Sequence, residues 1–122
     1  MLRRLAQLLG GGQDGGGYHH ISPQQAKQHM QEHPDAVILD VRERDEYARG
    51  HIPRATLLPL SIFNEAQAAQ AIPGGKDTQV LVYCQSGGRS RMAAEALADM
   101  GYTQVYDFGG ILRWPYEVEQ GG

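Results

Sequence analysis

The sequence predicts an α/β protein with a parallel sheet and helices on both of its faces. Short apolar runs rich in β-branched residues alternate along the chain with segments of helical pattern, which is typical of this fold class. The runs at 36–41 and 79–83 are apolar almost throughout, as strands covered on both faces are. Asp40 and Cys84 lie at the ends of these runs, and ligands of such sheets bind beyond the carboxyl ends of the strands. We therefore expect Asp40 and Cys84 at one edge of the sheet, beside the functional site.

Length and composition exclude several classes of protein. The chain has 122 residues, one cysteine and a net charge of −3, which suits a single domain. One cysteine cannot form an internal disulfide, a cysteine-rich zinc site or a dithiol pair. The acidic balance argues against a broad nucleic-acid surface, and no apolar run approaches the ~18 residues of a membrane span. We expect no metal, no nucleic-acid partner and no integral membrane segment.

The first part of the chain differs in composition from the rest. Residues 1–9 combine two arginines with leucines, and residues 10–17 contain six glycines, as flexible linkers do. The apolar stretch is short and interrupted, and it lacks a convincing cleavage site for a secretion signal, which favours a cytoplasmic protein. Docking of the leucines on a membrane surface or a partner is the alternative. We expect a flexible tail and linker over 1–17 and one domain over 18–122.

Caps and breakers set the boundaries of the predicted elements. Ser22, Pro23 and Gln25 form the pattern of a helix start with a capping box. Ser61 is predicted to cap a later helix, and Gly101 to end another. Helices are predicted from 23 to before 34 and at 43–49, 61–71 and 89–100, strands at 36–41, 55–58, 79–83 and around 105, and a last helical turn at 110–114.

The segment 84–90, which we call the cysteine loop, carries the predicted chemistry. Its two glycines allow backbone amides to converge, and the helix that follows contributes unpaired N–H groups and a partial positive charge. Together with Arg89, these groups are predicted to cradle an anion and to favour a thiolate on Cys84. The predicted anion-binding residues are Gln85, Ser86, Gly87, Gly88, Arg89 and Ser90. An inert, buried cysteine is the alternative.

Three segments together resemble the single-domain rhodaneses, a family of sulfurtransferases. The segments are Asp40-Val41-Arg42 with Glu46-Tyr47 and the GHIP sequence at 50–53, then the cysteine loop, then Gly109-Gly110-Ile111 with Trp114. Their order and spacing are specific only in combination, and the resemblance extends over about residues 18–117. It implies a three-layer rhodanese-like fold with a central parallel five-stranded sheet.

The resemblance also implies sulfur transfer of the thiosulfate:cyanide type. A small donor, thiosulfate or a persulfide, would pass its outer sulfur to Cys84. A thiophilic acceptor would then remove that sulfur, and the acceptor would be cyanide, another thiol or a sulfur-relay protein. Because the intermediate is a covalent persulfide on Cys84, no cofactor is needed, and the amides of the cysteine loop would hold its negative charge. Asp40 and Arg42 are assigned a supporting role, as an ion pair that braces the loop, because residues at strand ends commonly tie neighbouring loops; contact with the substrate is the alternative.

Two other functions are weighed against this one. Rhodanese-related phosphatases and arsenate reductases resemble the cysteine loop but have five residues between cysteine and arginine. Here four residues separate Cys84 from Arg89, and Ser90 takes the position of the phosphatase arginine. A persulfide carrier for a protein partner, with little activity on free thiosulfate, is the other alternative, because Gln85 and Ser86 stand where some thiosulfate-using members have basic residues.

Three other conspicuous residues are given structural roles. His51 lies in a turn ahead of a proline, and Trp114 is expected to pack in the core. Arg91 is expected to pair with Glu95, four residues further along the same helix.

Overall fold

The computed structural model describes residues 17–122, which form one sheet flanked by helices. The strands are β1 (His19–His20), β2 (Val37–Asp40), β3 (Thr56–Leu57), β4 (Gln79–Cys84) and β5 (Gln104–Gly110). The α-helices are α1 (Pro23–Glu32), α2 (Arg44–Arg49), α3 (Glu65–Ala71) and α4 (Gly88–Asp99), with 3-10 turns at Leu60–Ile62 and Ile111–Arg113. The strand order is β1-β5-β4-β2-β3 and all neighbouring strands are parallel. The predicted parallel five-stranded sheet is confirmed.

The core has two halves, one on each face of the sheet. Side chains of successive strand residues point to opposite faces, so Val80 packs in one half and Leu81 in the other. Leu97 of α4 belongs to the same half as Val80, whereas Met30 of α1 belongs to the same half as Leu81. The two runs predicted as buried strands are therefore covered from both sides, and the prediction of helices on both faces is confirmed.

The register of the central strands brings the expected residues to one edge. Asp40 pairs with Tyr83 between β2 and β4, and Cys84 pairs with Gly110 between β4 and β5. These strands are parallel, so all four residues lie at the carboxyl ends of their strands. The loop that follows β4 starts at this edge and leads directly into α4.

Local sequence signals explain the helix boundaries. At the start of α1, Ser22 Oγ accepts from the Gln25 amide at 3.0 Å, and Gln25 Oε1 accepts from the Ser22 amide at 2.9 Å. This reciprocal capping box and the proline at the first helical position were both predicted. Gly101 follows α4 with a φ of +101°, the left-handed conformation that glycine adopts at helix ends.

The prediction that a helix begins at Ser61 is wrong. Residues Leu60–Ile62 form a 3-10 turn, Phe63 is extended, and α3 begins only at Glu65. Asn64 is the true cap, since its side-chain oxygen accepts from the Gln67 amide at 2.8 Å. Ser61 instead donates its hydroxyl to Glu43 Oε2 at 2.9 Å. Because that hydroxyl is used by another loop, the shorter turn replaces the first part of the predicted helix.

The last strand is longer than the sequence predicts. Strand β5 extends through both glycines of the third segment, well beyond the short strand predicted around residue 105. No helix among the described residues is long and apolar enough to cross a membrane. The tail and linker predicted over 1–17 lie outside the described residues, apart from Gly17.

Candidate functional site

The thiol lies where β4 ends. Cys84 has no exposed surface, whereas Gln85 is partly exposed and Ser86 is exposed. The amide of Gly87 points back to Cys84 and donates to Sγ over 3.1 Å. Gly87 has a φ of +119°, a left-handed conformation that strains any residue with a Cβ. This turn therefore presents a backbone donor to the sulfur.

Helix α4 begins immediately after that turn. Its first backbone bond is from the Arg91 amide to the Gly87 carbonyl, at 3.2 Å. The amides of Gly88, Arg89 and Ser90 precede this bond and have no helical carbonyl to pair with. They are the positive end of a helix of 12 residues. The cysteine, the glycine turn and the helix start are thus adjacent, and one backbone amide, that of Gly87, donates to the sulfur.

Arg89 makes a two-pronged ion pair with Glu46 of α2. Its Nη1 and Nη2 donate to Oε1 and Oε2 of Glu46 at 2.8 and 2.9 Å. This hydrogen-bonded pairing lowers the pKa of Glu46 to about 2 and raises that of Arg89. Glu46 Oε1 also accepts from the amide of Glu43 at 2.9 Å. Arg89 therefore joins the cysteine loop to the start of α2.

A second ion pair, between Asp40 and Arg42, lies buried beneath the loop. Arg42 Nη2 is 2.7 Å from Asp40 Oδ2, and the Arg42 amide donates to Oδ1 at 2.9 Å. The remaining guanidinium donors reach the Gln85 side-chain oxygen at 3.2 Å and the Gly50 carbonyl at 2.6 Å. Asp40 and Arg42 thus connect β2, the turn after α2 and the first residue after the cysteine.

Tyr83 completes this buried network, although sequence reasoning assigned it no role. Its hydroxyl donates to Asp40 Oδ2 at 2.7 Å and accepts from the Ile52 amide at 3.0 Å. Burial and the nearby Asp40 carboxylate raise the pKa of Tyr83 far above its ordinary value. The hydroxyl is therefore neutral and can donate to the carboxylate at any ordinary pH.

Ser90 is buried and turned away from the surface of the loop. Its hydroxyl lies 2.7 Å from Asp107 Oδ1 and 3.0 Å from the Gly87 carbonyl. Asp107 Oδ1 also accepts from the Gly109 amide at 2.9 Å. Sequence reasoning missed Asp107, and the signal available was a lone carboxylate in the apolar run ahead of Gly109 and Gly110. Of the predicted anion binders, Ser90 is the one whose hydroxyl serves another partner.

The end of β5 packs directly against the cysteine loop. A Cβ added to Gly110 would lie 2.2 Å from the carbonyl oxygen of Gln85 and 2.6 Å from the Cα of Ser86. Such distances are possible only for a residue without a side chain. The amide of Leu112 donates to the same Gln85 carbonyl at 3.3 Å. The segment that contains Gly110 therefore packs against the cysteine loop and supports it.

A cavity of about 340 Å³ opens beside the loop. Its walls combine the two ion-pair systems with one apolar side chain; they are Arg42, Glu46, Arg49, Gly50, Gln85 and Ile111. Leu112, next to Ile111, has 69% of its surface exposed. The cavity is therefore lined mostly by polar and charged residues with one apolar side chain, and Gln85, the residue after the cysteine, is part of its lining.

His51 and Trp114 pack against aromatic rings, whereas Arg91 does not have its predicted partner. His51 stacks on Tyr47 with ring centroids 3.7 Å apart, and Trp114 packs against Phe108 in the core. The predicted pairing of Arg91 with Glu95 is wrong, because within residues 17–122 neither forms an ion pair. Arg91 instead lines a second cavity together with Ser86 and Gly87.

Comparison with known proteins identifies the family. The chain matches the Rhodanese-like domain over residues 22–116 and belongs to that family. It is 35% identical over 95 residues to a sulfurtransferase of Allochromatium vinosum, covering 77% of this chain and 85% of that one. It is 41% identical over 73 residues to the thiosulfate sulfurtransferase PspE of Escherichia coli, covering 60% and 68% of the two chains.

Two further similarities mark the range of the family. The structure of a rhodanese with anions from E. coli superimposes with a TM-score of 0.63 at 34% identity, covering 70% of this chain and 99% of that one. A tRNA uridine(34) hydroxylase of Chlamydia pneumoniae is 34% identical over 107 residues. The match covers 84% of this chain but only 33% of that longer protein. Membership of the family is therefore compatible with different activities.

Proposed function

We propose that this protein is a sulfurtransferase that carries a sulfane sulfur as a persulfide on Cys84. The observation that carries the proposal is the position of Sγ, which accepts a backbone N–H at the start of α4. Burial alone would fit an inert core cysteine. An inert cysteine, however, needs neither a left-handed glycine donating to its sulfur nor two ion pairs fixing the loop that follows it.

The proposed reaction has two steps. The thiolate of Cys84 attacks the outer sulfur of the donor, and the bond between the donor's two sulfurs breaks. The leaving group, sulfite from thiosulfate or a thiolate from an organic persulfide, departs with the electron pair of that bond. Cyanide or a thiol then attacks the outer sulfur on Cys84 and restores the thiolate. Both steps move negative charge at one sulfur, which the amides at the start of α4 stabilise without a metal or cofactor.

Within this proposal the predicted residues divide into two groups. The amides from Gln85 to Arg89 hold the terminal sulfur of the persulfide. Asp40, Arg42 and Ser90 act on the loop rather than on the substrate, because their polar atoms bond to one another, to Tyr83 and to Asp107. Arg89 contributes charge near the thiol while its hydrogen bonds go to Glu46.

Phosphate or arsenate chemistry is less well supported. A phosphatase of this kind needs an arginine one position after Arg89, pointing into the loop. That position holds Ser90, which has no exposed surface and donates toward Asp107. With an aryl phosphate as substrate we expect no turnover above background, and efficient hydrolysis would contradict the proposal.

A carrier role toward a protein partner is the second candidate. Two apolar side chains support it, since Ile111 lines the cavity and Leu112, the next residue in the chain, is largely exposed. Exposed apolar side chains beside a site are typical of surfaces that contact other proteins. The two roles differ in which donors add sulfur to Cys84 and which acceptors remove it. A carrier would exchange sulfur with protein partners and react little with free thiosulfate.

The proposal is tested by the intact mass of the protein after incubation with sulfur donors. We expect the mass to increase by one sulfur atom, and cyanide or a thiol to remove it. Cys84→Ser is the matched control, and it should fold normally but show no added sulfur. Failure of thiosulfate, organic persulfides and protein persulfides alike to charge the wild-type protein, or equal charging of Cys84→Ser, would contradict the proposed function.

A further inference from the structure

We infer that Glu46 is a specificity-determining residue for the sulfur donor. By holding Arg89 in an ion pair, it disfavours dianionic donors such as thiosulfate relative to organic hydropersulfides, which carry at most one charge on the reacting group. This inference rests on the proposed function, because it concerns the donor that charges Cys84.

The cations around the loop cavity are paired with carboxylates. Among the described residues, Arg42 is neutralised by Asp40 at 2.7 Å, and Arg89 by Glu46 at 2.8 and 2.9 Å. Arg49, the remaining cation of the cavity wall, has Asp45 at 3.5 Å, with both side chains largely exposed. Glu46 itself lines the cavity, and its depressed pKa keeps it ionised at neutral pH. Arg91, which forms no ion pair within residues 17–122, lines the second cavity and not this one, so this cavity has little net positive charge.

Donor charge matters because the attacking group is itself an anion. In the thiosulfate reaction, a thiolate meets a dianion, the S–S bond breaks, and sulfite leaves as a dianion with the bonding electron pair. In the hydropersulfide reaction, the same thiolate meets R–S–SH, and the products are the persulfide on Cys84 and one thiolate. Bringing the thiolate and the dianion together without compensating cations raises the activation barrier of the transfer. The carboxylate of Glu46 adds a third negative group near the thiolate and the dianion.

The shape of the cavity favours the same class of donor. Its volume of about 340 Å³ lies in the range of roughly 300–1,000 Å³ that holds small organic ligands, and thiosulfate fills only a small part of it. Ile111 gives one wall an apolar surface. The exposed guanidinium of Arg49 also lines the cavity, so a carboxylate on the organic part of a donor can pair with it. An organic hydropersulfide uses these features, whereas thiosulfate does not.

The test compares two donors on two variants. The rate of sulfur addition to Cys84 is measured by intact mass with thiosulfate and with cysteine hydropersulfide, for wild type, Glu46→Gln and Glu32→Gln. Gln retains an oxygen to accept from the Glu43 amide, so the start of α2 is kept. Glu32→Gln changes the net charge equally but lies at the end of α1 that leads toward β2, at the opposite edge of the sheet from Cys84.

We expect wild type and Glu32→Gln to prefer cysteine hydropersulfide. In Glu46→Gln the kcat/KM for thiosulfate should rise about tenfold, the order expected when one nearby like charge is removed at a partly exposed site, with little change for cysteine hydropersulfide. An unchanged ratio between the two donors, or wild type that prefers thiosulfate, would overturn the inference while leaving the proposed function intact. If neither donor charges Cys84, the proposed function fails instead.

A measurement on the wild type alone covers the case in which Glu46→Gln does not fold. A cationic site attracts a dianion less strongly as salt screens the charges. For a site already neutralised by Glu46, we expect the thiosulfate rate not to fall when salt is raised from about 0.05 to about 0.5 M, and to rise as salt screens the repulsion between the thiolate and the dianion. A steep fall would show that a cation near the thiol, Arg89 or Arg91, attracts the dianion, and it would refute the assignment to Glu46.

Discussion

The hydroxyl of Ser90 lies 2.7 Å from Oδ1 of Asp107, and both side chains are buried. The two residues belong to α4 and β5, and together they tie the start of the helix to the end of the strand. The same carboxylate oxygen accepts from the Gly109 amide, and the same hydroxyl lies within 3.0 Å of the Gly87 carbonyl. The Asp107 carboxylate thus fixes, through Ser90 and Gly109, the Gly87 turn whose amide donates to Cys84.

Asp107→Ala should therefore damage both stability and sulfur transfer. It leaves the Ser90 hydroxyl and the Gly109 amide without their buried acceptor, at a cost of about 2–4 kcal/mol in the free energy of unfolding. Asp107→Asn keeps an oxygen in the same place and should lose less than half as much. Urea unfolding and the rate of Cys84 charging measure the two effects. If the two variants were equally stable and equally active, the carboxylate oxygen would have no part in holding the loop.

The buried Asp40–Arg42 pair predicts a graded series of losses. Arg42→Met leaves the Asp40 carboxylate buried without its cation, which costs about 3–5 kcal/mol in unfolding free energy. Tyr83→Phe removes one donor to Asp40 and the acceptor of the Ile52 amide, so its expected cost is smaller, about 1–3 kcal/mol. Adding Asp40→Asn to Arg42→Met should recover part of the loss. Thermal or urea unfolding measures the order of these stabilities. If the double variant were less stable than Arg42→Met, the unpaired charge of Asp40 would not be the cause of the loss.

Gly110→Ala should displace the cysteine loop. The new Cβ would lie 2.2 Å from the Gln85 carbonyl oxygen, so either the end of β5 or the loop must move. We expect at least a tenfold loss in the rate of Cys84 charging and a destabilisation of about 1–3 kcal/mol, typical of overpacking. Gly88→Ala is the matched stability control, because a Cβ there meets nothing within 4 Å. Equal melting temperatures for the two variants would contradict the close approach at Gly110.

The ion pair of Glu46 predicts a stability change in acid. The pKa of Glu46 is about 2 in the folded state, against an ordinary value of 4.5, so the unfolded chain binds this proton more tightly. The stabilisation is complete above about pH 5 and is lost as pH falls from about 4.5 toward 2. Because Arg89 is one-third exposed, we expect solvent screening to reduce it to about 1 kcal/mol.

Urea unfolding of wild type and Glu46→Gln between pH 7 and pH 2.5 measures this contribution. The stability difference between the two proteins should shrink in that acid window, whereas the difference between wild type and Glu32→Gln should not show the same step. A constant difference between wild type and Glu46→Gln across the whole range would mean that the pair does not stabilise the fold.

Much of the architecture could be predicted because it depends on local patterns. The apolar runs that became β2 and β4 define the sheet, and their last residues define the edge where Asp40 and Cys84 meet. The capping box of Ser22 and Gln25 is entirely local and was confirmed. The β1 strand is different, since His19–His20 has no apolar periodicity and pairs only because β5 offers it an open edge.

The tertiary partners of the site residues could not be obtained in the same way. Glu46 belongs to a recognised segment, but its contact with Arg89 depends on how α2 lies against α4, 43 residues further on. Asp107 and Tyr83 are single polar groups within apolar strands, and their partners are set by the strand register. Ser61 satisfies every local rule for a helix cap, yet a glutamate 18 residues earlier takes its hydroxyl.

The elements that hold the cysteine loop come from distant parts of the chain. Glu46 precedes it by one helix and two strands, whereas Asp107 and Gly110 follow it after the whole of α4. Because Asp107 and Gly110 belong to the last strand, a chain cut before β5 would keep Cys84 and the sequence of α4 but lose the contacts that hold the Gly87 turn against Sγ.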